Sequence, residues 1–219
     1  MIWDKEYEQN GLVWGEKPSE LATVAARYLH DNLLNNKVLQ LLDVGCGYGR
    51  DALYLSDNTE CQILGIDVSE KAVEMARSST LKARKEDVRF LCCDFSQLND
   101  DKYDIIFISN VYQLLATHER KELRKKVTKK LETKGLLFLS TLSVNDPEHY
   151  GKGVPIPNES NSFSFQNRIY LHFCTREELI KDFGFVKIRD LYEHEYYEPR
   201  ANGERHHHIS WILIGENVR

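Results

Sequence analysis

The sequence predicts an α/β fold: a doubly wound, mostly parallel sheet whose last strand runs antiparallel. Three observations carry that expectation. Short, continuously apolar segments alternate with segments of helical periodicity through the first two thirds of the chain. Acidic residues stand at the ends of three successive strand-like segments, behind a glycine-rich turn. The two closing strand-like segments flank Asn202-Gly203, a dipeptide that favours a tight hairpin.

Residues 1–17 read as an N-terminal arm, because Met1-Ile2-Trp3-Asp4-Lys5-Glu6 is charged where a secretion signal needs an apolar run. Pro18 to Leu34 reads as a helix, with apolar residues at Leu21, Val24, Ala25, Leu29 and Leu33. Val38 to Val44 is mainly apolar and ends in Asp43-Val44-Gly45, the mark of a strand buried on both faces. A helix begins at Arg50. Gln62 to Ile66 is a second buried strand, and Ser69 caps the helix that follows. Val88 to Cys92 and Asp104 to Ile108 are the next strands, His118 to Leu131 is a helix, and Gly135 to Thr141 is a fifth strand. Ser143 to Phe173 is rich in Asn, Pro, Ser and Gly and too long for a plain connection, so it reads as a cap over a site. Thr175-Arg176-Glu177-Glu178 is a capping box opening a short helix, which Gly184 closes. Phe185 to Tyr197 and His206 to Gly215 complete the sheet. Residues 1–219 thus read as one domain carrying a cap insertion at about 143–173.

Composition narrows the function classes. A net charge of -5 excludes a constitutive phosphate-backbone binder, which needs a basic face. The local basic run Arg120 to Lys130 is interleaved with acidic and apolar residues and reads as a solvated helix face. No apolar run approaches the ~18 to 20 residues of a membrane span. Five cysteines without zinc-like spacing read as reduced thiols, which places the protein in the cytoplasm.

Ligands of open sheets bind beyond the carboxyl ends of the strands. The first such end reads Asp43-Val44-Gly45-Cys46-Gly47-Tyr48-Gly49-Arg50, whose alternating glycines let the backbone approach a ligand closely. A dinucleotide fingerprint places its third glycine at position 50, where this chain has Arg50, and the Gly-Lys-Ser/Thr of a P-loop is missing. Asp67, at the second strand end, can grip both ribose hydroxyls of a nucleoside. Asp94, at the third, can accept an adenine amino proton.

The run Leu41-Leu42-Asp43-Val44-Gly45-Cys46-Gly47-Tyr48-Gly49-Arg50 resembles motif I of the class I S-adenosylmethionine (SAM)-dependent methyltransferases. The resemblance continues through Gly65-Ile66-Asp67-Val68-Ser69, Cys93-Asp94-Phe95, Tyr103-Asp104-Ile105-Ile106 and Lys134-Gly135-Leu136-Leu137, and covers about residues 12 to 215. It implies a seven-stranded sheet, SAM as cofactor and S-adenosylhomocysteine as product. Carried over by residue, Asp43 and the loop of Gly45, Cys46, Gly47, Gly49 and Arg50 lie against the methionine portion. Asp67, with Val68 beside it, takes the ribose. Asp94 and Phe95 bracket the adenine, and Asn110 lies near the transferring methyl. Trp14-Gly15-Glu16-Lys17-Pro18-Ser19-Glu20-Leu21, Gly49-Arg50-Asp51 and the Asn202-Gly203 hairpin are also similar to tellurite-resistance and thiopurine-type enzymes, which implies a soft sulfur, selenium or tellurium acceptor.

The acceptor side is expected where the cap meets the hairpin ends, Glu193 to Tyr197 and His206 to His208. His172, at the close of the cap, and Tyr196 are the candidate catalytic residues. The aromatic arm of Trp3, Tyr7 and Trp14 either closes over the ligand or anchors itself to the domain. A metal at His206 and His208, with His194 as third ligand, competes with polar hairpin residues facing water. The second reading is adopted, with no metal. The expected activity is therefore methyl transfer to a small molecule, with no nucleic-acid or membrane partner; oligomeric state is left open. The alternatives are a SAM-binding regulator or scaffold without catalysis, and a nucleotide-dependent oxidoreductase, which Arg50 disfavours.

Overall fold

The computed structural model describes residues 2–32, 37–99, 101–165, 169–199 and 205–219. Its helices are α1 (Ile2–Asn10), α2 (Glu20–Asn32), α3 (Arg50–Asn58), α4 (Glu70–Ala83), α5 (Thr117–Lys130) and α6 (Arg176–Asp182). The strands are β1 (Leu39–Val44), β2 (Cys61–Asp67), β3 (Val88–Cys92), β4 (Tyr103–Ser109), β5 (Leu131–Leu142), β6 (Val154–Pro155), β7 (Ser162–Phe165), β8 (Ile169–His172), β9 (Lys187–Pro199) and β10 (Arg205–Glu216).

Seven of the strands form one sheet in the order β3-β2-β1-β4-β5-β10-β9. The pairings of β1 with β2 and β4, of β2 with β3 and of β4 with β5 are parallel. β10 pairs antiparallel with both β5 and β9, so it alone runs against the rest. This is the expected doubly wound sheet. Its order reverses between β1 and β4, which opens a crevice at their carboxyl ends.

Alternation along the strands divides the core into two layers. Leu41, Ile63, Ile105, Phe107, Phe138, Ile212 and Ile214 pack on one face with Leu21 and Leu29 of α2, Leu55 of α3 and Val73 of α4. Leu42, Ile66, Ile106, Ile108, Leu137, Leu139 and Leu213 pack on the other with Leu123 and Val127 of α5 and Leu179 of α6. Burying each such side chain contributes about 1.5–3 kcal/mol, so the two layers hold the crevice rigidly. Among the described residues, no helix is long and apolar enough to cross a membrane.

The structure adds local detail to the arm and the cap. The arm is partly helical: α1 buries one residue, Tyr7, too few for a periodic apolar signal. The cap carries a small antiparallel sheet of β6, β7 and β8. Phe163 of β7 packs edge-on against Tyr150 and Phe173, with ring centroids 5.6 and 5.9 Å away. The Asn202-Gly203 turn lies outside the described residues, although the strands it was expected to join do pair.

Candidate active site

The turn after β1 is built for close approach. Gly45, Gly47 and Gly49 all have positive φ, at 75°, 54° and 82°. A Cβ at Gly45 would stand 2.2 Å from Val111 Cγ2, and one at Gly47 would stand 3.0 Å from the Tyr7 hydroxyl. The amides of Gly45 and Cys46 both donate to the Ile66 carbonyl, at 2.8 and 3.0 Å, which moors the turn to β2. The Cys46 thiol is buried, and that burial, followed by the nearby Asp43 carboxyl, holds its pKa well above the ordinary value. It is therefore a packing residue of the loop rather than a nucleophile.

The three acids differ in what they do. Asp43 is buried, and its Oδ2 lacks a hydrogen-bond partner. Burial first, then the neighbouring Asp51 and Asp67, raise its pKa well above the usual carboxylate range. Asp67 Oδ2 accepts the Gly47 amide at 2.9 Å, while Oδ1 accepts the Ser69 amide at 2.9 Å. It orders the glycine turn and the start of α4 together, with Val68 between them. Asp94 caps the 3-10 turn Phe95–Gln97, accepting from the Ser96 amide at 2.7 Å. Phe95 packs toward the α5 layer, beside Leu98 and Cys93.

The arm covers this turn and is anchored at the same time. Asp4 Oδ1 accepts the Ser69 hydroxyl at 2.8 Å and the Lys71 amide at 3.3 Å. Tyr7 stands edge-on to Tyr48, with centroids 6.0 Å apart. The Tyr48 hydroxyl donates to the Gly15 carbonyl at 2.6 Å and accepts the Trp14 amide at 3.1 Å. Arg50, expected beside the cofactor, donates to the Trp14 carbonyl and stands 3.5 Å from Asp51. Asp51, which the sequence reading passed over, accepts the Ser19 amide at 2.7 Å. Arg50 and Asp51 therefore fasten residues 14–19 across the start of α3.

At the end of β4, Asn110 takes a left-handed φ of 55° and donates its amide to Ser140. Gln113 Nε2 reaches Asn110 Oδ1 at 3.4 Å, but the buried Gln113 Oε1 has no partner. A cavity of about 140 Å³ opens between α1, this turn and the cap, lined by Ile2, Trp3, Glu6, Leu114, Ile169 and Tyr170. Neither Gln113 nor Leu114 carries a sequence signal; only the fold brings them to the crevice.

His172 lies in a closed network behind that cavity. Its Nδ1 is 2.8 Å from Ser162 Oγ and its Nε2 is 2.7 Å from Glu178 Oε1. Ser162 Oγ is 2.9 Å from the Tyr170 hydroxyl, which donates to Glu159 at 2.6 Å and accepts from Arg120 at 2.8 Å. Arg120 is itself buried, which corrects the solvated-face reading for that end of α5. Both ring nitrogens of His172 are engaged and its side chain is buried. Tyr170 is the member of the network that meets the cavity.

Tyr196 lies elsewhere, 5.7 Å from the His194 ring and 5.3 Å from the His208 ring. His206 and His208 share a strand face, with rings 5.9 Å apart, and His207 stacks on Tyr197 at 4.8 Å on the other. The expected water-facing histidines are a correction: His206 and His208 are both buried.

Comparison with known proteins agrees with this layout. Residues 41–135 match the family model described as a methyltransferase domain. A carboxy-S-adenosyl-L-methionine synthase of Shewanella piezotolerans is 25% identical over 131 residues, 58% of this chain and 51% of that protein. The chain therefore spans about half the length of that relative. A structure of 1,6-didemethyltoxoflavin-N1-methyltransferase from Burkholderia thailandensis, with 1,6-didemethyltoxoflavin and S-adenosylhomocysteine bound, matches with a TM-score of 0.70 at 16% identity, covering 100% of this chain and 86% of that one. TehB from Haemophilus influenzae matches with a TM-score of 0.67 at 17% identity, covering 98% and 65%. From glycine turn to sheet order, the chain is similar to the class I SAM-dependent methyltransferases.

Proposed function

We propose that residues 1–219 act as one domain, in the cytoplasm, transferring a methyl group from SAM to a small-molecule acceptor held under the 143–173 cap. The observation that carries this reading is the pair of buried, partnerless acceptors at the ends of adjacent strands, Asp43 Oδ2 and Gln113 Oε1. Unmet acceptors beside a positive-φ glycine turn call for a ligand rich in N–H donors and positive charge. The amino acid end of SAM has that chemistry, and it fits. Asp43, Gly45, Cys46, Gly47 and Gly49 would hold that end, Asp67 and Val68 the ribose, and Asp94 and Phe95 the adenine. Asn110 would stand at the acceptor side, with Arg50 acting through Trp14. When bound, SAM supplies an electrophilic sulfonium methyl.

The chain's own residues favour a soft acceptor. The cavity lining is largely apolar and aromatic, which excludes water from the reacting atoms. Burial and its hydrogen bond to Glu159 raise the Tyr170 pKa, so the phenol stays protonated at neutral pH. Among the described residues, the lining offers no imidazole or amine to take a proton from a hydroxyl. An acceptor that arrives already ionised, such as a thiolate, selenide or telluride, needs positioning alone.

The test is calorimetry with SAM, followed by label transfer from methyl-labelled SAM to thiols, selenite, tellurite, catechols and small amines. SAM binding with transfer to the sulfur, selenium or tellurium compounds is expected. Transfer confined to catechols or amines would overturn the soft-acceptor reading. Binding without transfer to any of them would favour a regulator, and absence of binding would end the proposal.

A further inference from the structure

Outside the crevice, the start of the cap and the start of β10 bring Asp146, His149 and His208 together. One ligand-type atom from each lies within 4.8 Å of the others. His208 Nδ1 stands 3.0 Å from Asp146 Oδ2, and His149 Nδ1 stands 3.6 Å from Asp146 Oδ1. The two imidazoles lie face to face, with centroids 5.2 Å apart and planes 9° from parallel, and both turn Nδ1 toward the same carboxylate. We infer that these three residues form a site for a divalent cation of the zinc class, clamping the cap to the terminal hairpin.

Three observations support the site. Zinc bonds of ~2.0–2.1 Å at tetrahedral angles put neighbouring ligand atoms about 3.3 Å apart, and each imidazole Nδ1 stands near that distance from one oxygen of the carboxylate, His208 from Oδ2 at 3.0 Å and His149 from Oδ1 at 3.6 Å. The His149 Nδ1 is buried and has no hydrogen-bond partner, so a cation would satisfy an atom that the protein leaves unmet. The carboxylate is held from behind: Oδ1 accepts the Glu148 and His149 amides at 3.1 and 2.8 Å, and Oδ2 accepts the Ile209 amide at 3.1 Å. Such backbone support is typical of metal-ligating carboxylates, and an ion on Oδ2 would take the place of the hydrogen bond from His208 Nδ1. His206 stands next to the trio, its ring 6.2 Å from that of His149 and its Nδ1 3.4 Å from Glu148 Oε1.

Two imidazoles and one carboxylate suit zinc, cobalt or ferrous iron better than magnesium or calcium, which prefer oxygen donors. None of the three residues lines the acceptor cavity, so the ion's place is structural. Its two cap ligands are three residues apart and the third is 59 residues away on β10, a spacing that staples a long insertion to the sheet. The other cluster of ligand types, His172, Cys174 and Glu178, is different. Both His172 nitrogens there are already bonded, and Cys174 Sγ faces Thr141 Oγ1 at 3.9 Å.

The experiment uses the full chain without an affinity tag, stripped with EDTA and titrated with Zn²⁺ by calorimetry and with Co²⁺ by visible absorption. Binding of one equivalent is expected, with the intense visible bands of four-coordinate cobalt. His149→Ala and His208→Gln should each lose at least tenfold in affinity, whereas His30→Ala, at an exposed histidine of α2, should bind as wild type does. Zn²⁺ should raise the melting temperature of wild type and leave that of His149→Ala unchanged. Equal affinity in wild type and His149→Ala, or an equal loss in His30→Ala, would overturn the site. Should His208→Gln fail to fold, the half-exposed His149 carries the comparison alone. No readout requires methyl transfer, so this test and that of the proposed activity fail independently.

Discussion

Asp67 Oδ2 accepts the backbone amide of Gly47 at 2.9 Å, joining the end of β2 to the glycine turn 20 residues earlier. The same carboxylate therefore shapes the crevice in which it is proposed to hold the ribose. Asp67→Ala should lower SAM affinity tenfold or more by calorimetry, since hydrogen bonds to a charged group contribute about 1.5–3 kcal/mol each. Because the Gly47 and Ser69 amides lose their acceptor too, a melting temperature lower by a few degrees should accompany it. A variant that binds SAM as tightly as wild type would place the ribose elsewhere.

Gly47 is constrained twice, by its φ of 54° and by the Tyr7 hydroxyl 3.0 Å from the site of any Cβ. Gly47→Val should abolish measurable SAM binding while the far-UV circular dichroism remains native, because the added side chain meets Tyr7 of the arm rather than either core layer. Removing the Tyr7 hydroxyl relieves the contact but not the backbone conformation, which costs an L-residue ~1–2 kcal/mol. Tyr7→Phe in the Gly47→Val background should therefore restore binding only in part. Full restoration would mean that the contact alone matters.

Asp43 gives the crevice a pH dependence whose sign follows from burial. Its folded-state pKa lies above the ordinary 3.8. Its contribution to the stability of the free protein is thus fully present below the unfolded value and lost as pH rises through the folded one. A ligand cation needs the ionised form, so SAM affinity should rise with pH across that window, with proton release visible as a buffer-dependent calorimetric enthalpy. Asp43→Asn should abolish the proton release and weaken binding, while flattening the stability profile over the same window. Proton release that persists in Asp43→Asn would assign the titration to another group.

The strands, the glycine turn and the acids were legible because each is a local pattern. Leu41 to Val44 reads as a buried strand whatever surrounds it, and Ser69 caps α4 through its own hydroxyl, which accepts the Ala72 amide at 3.2 Å. What escaped was decided at long range. β7 carries the alternation Ser-Phe-Ser-Phe, but it is a strand because β6 and β8 flank it. Asp146 and His208 are 62 positions apart, and no spacing rule joins them. His172 was singled out as a histidine ending the cap, yet its neighbours Ser162 and Glu178, which hold its ring, come from two other elements. Tyr196 likewise belongs with His194 and His208 rather than with the cavity, so Tyr196→Phe should leave transfer within about twofold of wild type.

The last prediction separates positioning from proton transfer in the cap. Burial by itself would raise the Glu178 pKa, but the His172 hydrogen bond and charge, with Arg120 nearby, outweigh it and hold the carboxyl below its ordinary value. A depressed carboxylate contributes stability above its unfolded pKa and loses it as pH falls through the folded one. Glu178→Gln should therefore melt earlier at neutral pH and show a shallower acid limb than wild type. His172→Ala breaks the same chain from its middle, removing the support of Ser162 and, through it, of Tyr170 at the cavity wall. The expected result is a raised KM for the acceptor and a lowered kcat, with SAM affinity within twofold of wild type and the pH profile of kcat unchanged in shape. His172→Asn, which can still meet Ser162, should recover part of the loss. A general base would behave otherwise: kcat would lose a titrating limb in both variants, and Asn would rescue nothing. That pattern would return His172 to the chemistry and require the cap to open on its ring during turnover.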